Sequence, residues 1–130
     1  MKNIIISITL ILLCGLSLLS CGDSPIDDNG LLITDRELCD ITRFELLGPD
    51  NQTVLVSHSI DTEKATVTAV AKFGTNIKHV KPYCSVDLDA IVTPNMGEWV
   101  DFSQPRQYTV ISGNREVKKT YTITVTVQGQ

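Results

Sequence analysis

Basic residues are scarce and unclustered. Eleven Lys and Arg stand against 15 Asp and Glu in 130 residues, a formal charge of −4. Without a basic stripe to neutralise phosphates, no nucleic-acid partner is expected. Histidine is scarcer, with only His58 and His79. Neither has a second ligand at a metal-like spacing such as C-x2-C or H-x3-H, so no metal site is expected. A nucleophile needs a base and an orienting group beside it. The carboxylates are scattered rather than paired as glycoside chemistry requires. The chain therefore reads as a non-enzyme with no cofactor. Asp87 and Asp89 with Asp101 could approach a calcium ion, but a solvated turn is the plainer reading. Aromatics are few, one Trp, three Tyr and three Phe, so any stacking surface rests on one or two rings. Sustained helical periodicity is absent. The length suits one domain and excludes a (β/α)8 barrel, which needs roughly 250 residues.

One long apolar run is present. Lys2 precedes Ile4 to Leu19, and the run ends in Leu18-Leu19-Ser20-Cys21. A positive start, a short apolar stretch and a small residue before the cleavage point describe a secretory signal peptide over residues 1–20. The stretch is short for a spanning helix and lacks basic residues after it. Leu-Leu-Ser-Cys also resembles the bacterial lipobox. That resemblance implies cleavage before Cys21, acylation of its thiol and new amino group, and membrane attachment through Cys21. An uncleaved anchor, or an ordinary signal peptide with a chance cysteine, is the alternative. Without residues 1–20 the apolar share falls to about 38% and the charge becomes −5. All of that charge lies in residues 21–40, where Asp23, Asp27, Asp28, Asp35, Glu37 and Asp40 face Arg36 alone. Residues 41–130 are neutral, with nine acids and nine bases.

Residues 21–39, with Gly22, Pro25, Asn29 and Gly30 and little periodicity, read as an acidic tether. Fully extended it spans about 60 Å. Acids soon after the cysteine partly resemble the surface-export signal of Bacteroidota lipoproteins; a plain spacer is the alternative.

Residues 40–130 read as one domain with period two. Thr120 to Val127 places Tyr121, Ile123, Val125 and Val127 on one face and threonines on the other, a half-buried strand. Thr53–Val56, Lys64–Val70, Ile91–Thr93 and Tyr108–Ile111 read likewise. Turn signals at Gly48–Asn51, Asp61–Glu63, Gly74–Asn76, Pro94–Gly97 and Ser112–Asn114 separate them. Thirteen threonines and 12 valines follow residue 20, and both residue types suit strands. The expected architecture is all-β, an antiparallel immunoglobulin-like β-sandwich of about seven strands.

The order Ile41-x-x-Phe44, Ile77-x-x-Val80-x-Pro82, Ala90-Ile91-Val92-Thr93-Pro94, Asp101-Phe102-Ser103-x-Pro105-x-x-Tyr108-Thr109-Val110 and Tyr121-Thr122-Ile123-x-Val125 carries a resemblance. It resembles the immunoglobulin-like or cadherin-like domains of unknown function in Bacteroidota cell-envelope lipoproteins. Such domains are often fused to, or encoded near, glycan-handling surface proteins, and they have no family-wide catalytic residues. Phe102 and Tyr108 should fill the core, Tyr108 with its hydroxyl on backbone, while Asp101 and Ser103 brace the turn. The Gly113–Val117 loop lacks the usual Asp-Gly turn of such hairpins.

Cys39 and Cys84 could form one disulfide in an exported domain. Trp99, between Glu98 and Val100, either covers one end of the core or offers its ring to a sugar, with Asn95 and Glu98 binding hydroxyls. Tyr83 fits both accounts. The expected function is a non-catalytic, lipid-anchored outer-membrane module at the cell surface, binding glycan or an outer-membrane protein. A periplasm-facing structural or assembly lipoprotein is the alternative.

Overall fold

The computed structural model describes residues 26–30 and 32–130. The expected signal segment 1–20 and the lipidation site Cys21 lie outside the described residues. The chain divides into two units, Met1–Leu31 and Leu32–Gln130. In the first, the Gly30 N–H donates to the Asp27 carbonyl at 2.9 Å, closing a turn.

The second unit is all-β. Its strands are β1 (Ile41–Leu47), β2 (Leu55–Asp61), β3 (Thr66–Ala71), β4 (Lys81–Val86), β5 (Ile91–Thr93), β6 (Arg106–Ile111) and β7 (Lys118–Val127). They form a two-stranded sheet, β1-β4, and a five-stranded sheet, β2-β3-β7-β6-β5. The pairing is antiparallel except for β3 and β7, which run parallel from Thr66↔Thr122 to Ala71↔Val127. The expected β-sandwich of seven strands is what forms, with this one parallel pair in an otherwise antiparallel arrangement. β3 leaves its sheet to feed β4 in the other, and the chain returns so that β7 lies along β3 in the same direction.

The inner faces make the core. Phe44 and Leu46 of β1, Val67, Ala69 and Ala71 of β3, Tyr108 and Val110 of β6, and Tyr121 and Ile123 of β7 are buried, with Val80 and Phe102 from the connections. Each large side chain removed from water contributes roughly 1.5–3 kcal/mol. β7 alternates as its sequence requires, with Tyr121, Ile123, Val125 and Val127 inward. Asp101 braces its turn by accepting the Ser103 N–H at 2.7 Å. Hydrogen bonds from Ser103, its hydroxyl first, hold the Asp101 carboxyl below the usual range.

The hydroxyl bond to backbone expected of Tyr108 falls instead to its cross-strand partner. The Ile41 N–H donates to Tyr121 Oη at 3.4 Å, and that hydroxyl donates to Asp40 Oδ1 at 3.0 Å. Lys119 Nζ pairs with the same carboxylate oxygen and also donates to the Thr62 carbonyl at 3.1 Å. This cluster joins the entry of β1 to the start of β7. The Lys119 ammonium holds the Asp40 carboxyl below its usual value, and Asp40 in turn raises Lys119.

The hairpin between β6 and β7 keeps its register without Asp-Gly. Ser112 donates its N–H to Val117 at 2.8 Å and its hydroxyl to Asn114 Oδ1 at 2.7 Å, while Arg115 takes the left-handed position at φ 66°. Part of the expected tether is held here too. The Asn114 N–H donates to the Arg36 carbonyl at 2.9 Å, and Arg36 pairs with Asp89 at 3.1 Å.

The expected disulfide is not made; Cys39 and Cys84 are both free. The ladder register is the reason. Cys84 sits opposite Phe44, and pairing continues through Ile41↔Val86 to the Asp87 N–H on the Asp40 carbonyl at 3.1 Å. Cys39 therefore lies four to five residues along the ladder from Cys84, roughly 13–16 Å at about 3.3 Å per residue. Disulfides bridge Cα atoms only about 4.4–6.8 Å apart.

Candidate binding face

β4 carries Pro82, Cys84 and Val86 toward the core and Lys81, Tyr83 and Ser85 outward. Opposite them on β1 stand Leu47, Glu45 and Arg43, in the pairs Leu47↔Lys81, Glu45↔Tyr83 and Arg43↔Ser85. The small sheet thus has an outer face that mixes charge with one aromatic ring. A shallow open concavity on it is lined by Arg43, Glu45, Tyr83, Cys84 and Ser85.

The loop between β5 and β6 adds a second ring. The Gly97 N–H donates to the Pro82 carbonyl at 2.9 Å, and Gly97 has φ +89°. A Cβ at Gly97 would lie 3.1 Å from Tyr83 Cε1, so only glycine lets this loop lie so close on the tyrosine. Next, Val80 and Val100 exchange backbone bonds at 3.2 and 2.8 Å. This pins Trp99 beside β4. Its ring stacks on His79, with centroids 4.2 Å apart and planes 12° apart. Lys81 Nζ lies 4.4 Å from the Trp99 ring centre, a cation–π distance. Trp99 keeps 41% of its surface exposed and Tyr83 42%. Trp99 is therefore braced on the flank of the sheet rather than closing the end of the core.

Of the residues singled out from the sequence, Tyr83 lies on the outer face of β4 and Trp99 on the loop at its Lys81 end. Asn95 and Glu98 are exposed on the loop that delivers Trp99. His79, Lys81, Arg43, Glu45 and Ser85 were missed. The signal was there in the two-residue spacing of His79, Lys81, Tyr83 and Ser85, which puts them on one side of a strand.

The face offers rings and hydrogen-bonding groups. The Cys84 thiol is pushed up to about 11 by burial, so it stays protonated and unreactive near neutral pH. Asp87, Asp89 and Asp101 have separate tasks: Asp87 accepts the Asp40 N–H at 2.8 Å, Asp89 pairs with Arg36, and Asp101 caps its own turn. Among the described residues, no group of three metal-ligating side chains gathers.

The family model described as SGBP, N-terminal, matches residues 41–125, from the start of β1 into β7. The chain belongs to the SGBP N-terminal family. The matched span contains every residue of the face. No curated protein matches the chain. Among solved structures, this SGBP N-terminal chain is similar to a candidate glycoside hydrolase from Bacteroides thetaiotaomicron, at 25% identity and a TM-score of 0.58. It is also similar in fold to a DUF4623 family protein from Bacteroides eggerthii, at 16% identity and a TM-score of 0.54. These matches cover 80% and 71% of this chain but only 27% and 22% of those proteins. The chain spans about a quarter of their length.

Proposed function

We propose that this protein is a non-catalytic, lipid-anchored glycan-binding module of the cell surface. The observation that carries the reading is the half-exposed ring of Tyr83 on the outer face of β4, set among polar groups, with the half-exposed Trp99 braced on the adjoining loop by His79 and Lys81. Flat rings cover the apolar face of a sugar, and flanking polar side chains meet its hydroxyls. Membership of a family whose name denotes glycan-binding proteins, and a neighbour described as a candidate glycoside hydrolase, support the same class of ligand.

The topology suits a tethered binder. Residues 34–39 reach the domain at the Asp40–Asp87 end of the small sheet. Trp99 and Lys81 lie at the other end, beside Leu47. The six steps of β1 separate the two ends by about 20 Å. An anchor on Cys21 and a spacer over the following residues would hold the face away from the membrane. In this reading residues 1–20 are the lipoprotein signal, 21–39 the tether and 40–130 the binding domain.

Affinity electrophoresis of the purified protein in gels containing plant or mucin polysaccharides tests the reading. Retention in at least one glycan, lost in Trp99→Ala and Tyr83→Ala variants that keep the wild-type circular dichroism, is the expected result. Equal retention of wild type and both variants, or none in any glycan, would overturn it. Protease shaving of intact cells tests the location: survival until lysis would favour a periplasm-facing lipoprotein.

A further inference from the structure

The binding face carries cations without anionic partners. The ion pairs among the described residues are Arg36–Asp89 and Lys119–Asp40, and neither involves the face. Arg43 is exposed on β1 and lines the concavity beside Tyr83 and Ser85. Lys81, two positions from Tyr83 on the same side of β4, holds its ammonium over Trp99. The carboxylate between them, Glu45, keeps its charge but makes an ion pair with neither. Its Oε1 accepts the Thr53 hydroxyl at 2.5 Å and the Leu46 N–H at 3.0 Å. Glu98, exposed on the loop next to Trp99, is a second carboxylate near the face and also makes no ion pair with Arg43 or Lys81. A guanidinium beside a hydroxyl and an aromatic ring matches a sugar that bears a planar or tetrahedral anionic group, because its fork pairs such oxygens two at a time.

Resting on the glycan-binding reading above, we infer that the face selects anionic glycans, with Arg43 pairing a carboxylate or sulfate of the sugar seated against Tyr83. Lys81 supplies a second positive charge on the Tyr83 side of β4, held in place over the ring of Trp99. Neutral glycans have the same apolar faces but leave both cations unpaired, so they bind more weakly.

Isothermal titration of the purified protein with polygalacturonate, dextran sulfate, dextran and arabinoxylan tests this. The expected result is binding to at least one of the two polyanions, at least tenfold tighter than to either neutral polymer. The affinity should fall as salt rises from 50 to 300 mM. Polygalacturonate binding alone identifies a carboxylate ligand, and dextran sulfate binding alone a sulfate. Arg43→Ala, at an exposed position, should weaken that binding about tenfold or more. Arg43→Lys should recover only part of it, and Lys118→Ala, in the other sheet, should leave it unchanged. Neutral polymers bound as tightly as polyanions, with dependence on Trp99, would overturn the inference and leave the glycan-binding reading standing. Polyanion binding indifferent to Arg43→Ala, or lost equally in Lys118→Ala, marks general charge attraction and also overturns it. Failure to bind any of the four polymers or any other glycan overturns both.

Discussion

Tyr121→Phe isolates the polar cluster that fastens the domain's entry to its last strand. The substitution removes one oxygen and keeps the buried ring, so packing is preserved. Lost with the oxygen are a 3.0 Å hydrogen bond to the Asp40 carboxylate and a longer one, 3.4 Å, from the Ile41 N–H. A hydrogen bond to a charged group contributes about 1.5–3 kcal/mol. Asp40 is one-third exposed and keeps Lys119, so solvent and the remaining partner soften the loss to roughly 1–2 kcal/mol. For a domain of this size that lowers Tm by about 5–15 °C. Urea and thermal unfolding followed by circular dichroism measure it. The pH dependence gives a sharper signature. Asp40 is held below its ordinary value of 3.8, by Lys119 first and by Tyr121 as well. A group depressed in the folded state stabilises fully above its unfolded value, and the gain is lost as pH falls through the folded value. The Tyr121→Phe deficit should therefore be full at pH 7 and shrink in acid, while the Asp40 pKa rises in the variant. A deficit below about 0.3 kcal/mol at pH 7, or one equal at pH 7 and pH 2.5, would refute the reasoning.

Lys119 is raised by Asp40, so its contribution is complete below 10.5 and lost as pH rises through its folded value; Lys119→Met should flatten the alkaline limb of the stability profile. Phe102, buried between the two sheets, should cost about 3–5 kcal/mol when cut to Ala, read by urea unfolding. Iodoacetamide under denaturing, non-reducing conditions should label both Cys39 and Cys84, and a linked 39–84 peptide in mass spectrometry would contradict the register argument. Gly97→Ala forces a side chain into a left-handed position against Tyr83. It should cost about 1–2 kcal/mol and weaken glycan retention although Gly97 offers a ligand no side chain.

Where a strand has one wet face and one dry, the sequence was readable. β7 shows this best, since threonines alternate with Tyr121, Ile123, Val125 and Val127 over its whole length. β2 was placed too early, at Thr53–Val56, because Val56, Ser57, His58 and Ser59 are all exposed on the sheet edge and leave no period to find. β4 hid for another reason: its inward residues are Pro82, Cys84 and Val86, two of them poor strand markers. The parallel β3–β7 pairing depends on which sheet each strand joins, and local pattern carries no trace of it. Of the face, the two rings stood out by rarity. Arg43 and Lys81 did not, because an isolated cation on a strand looks the same whether or not a carboxylate waits across the ladder. The missing disulfide is the same kind of fact: pairing of Cys39 with Cys84 was decided by register, not by the presence of two cysteines.

Amide chemical-shift mapping during titration with a bound glycan tests the central claim most directly. The account predicts that the largest shifts fall on Arg43, Tyr83, Ser85, Gly97 and the Trp99 indole, with little change at Lys118 or along β2. Shifts concentrated on β2 or on the Ser112–Val117 loop, with the Trp99 indole unmoved, would contradict it.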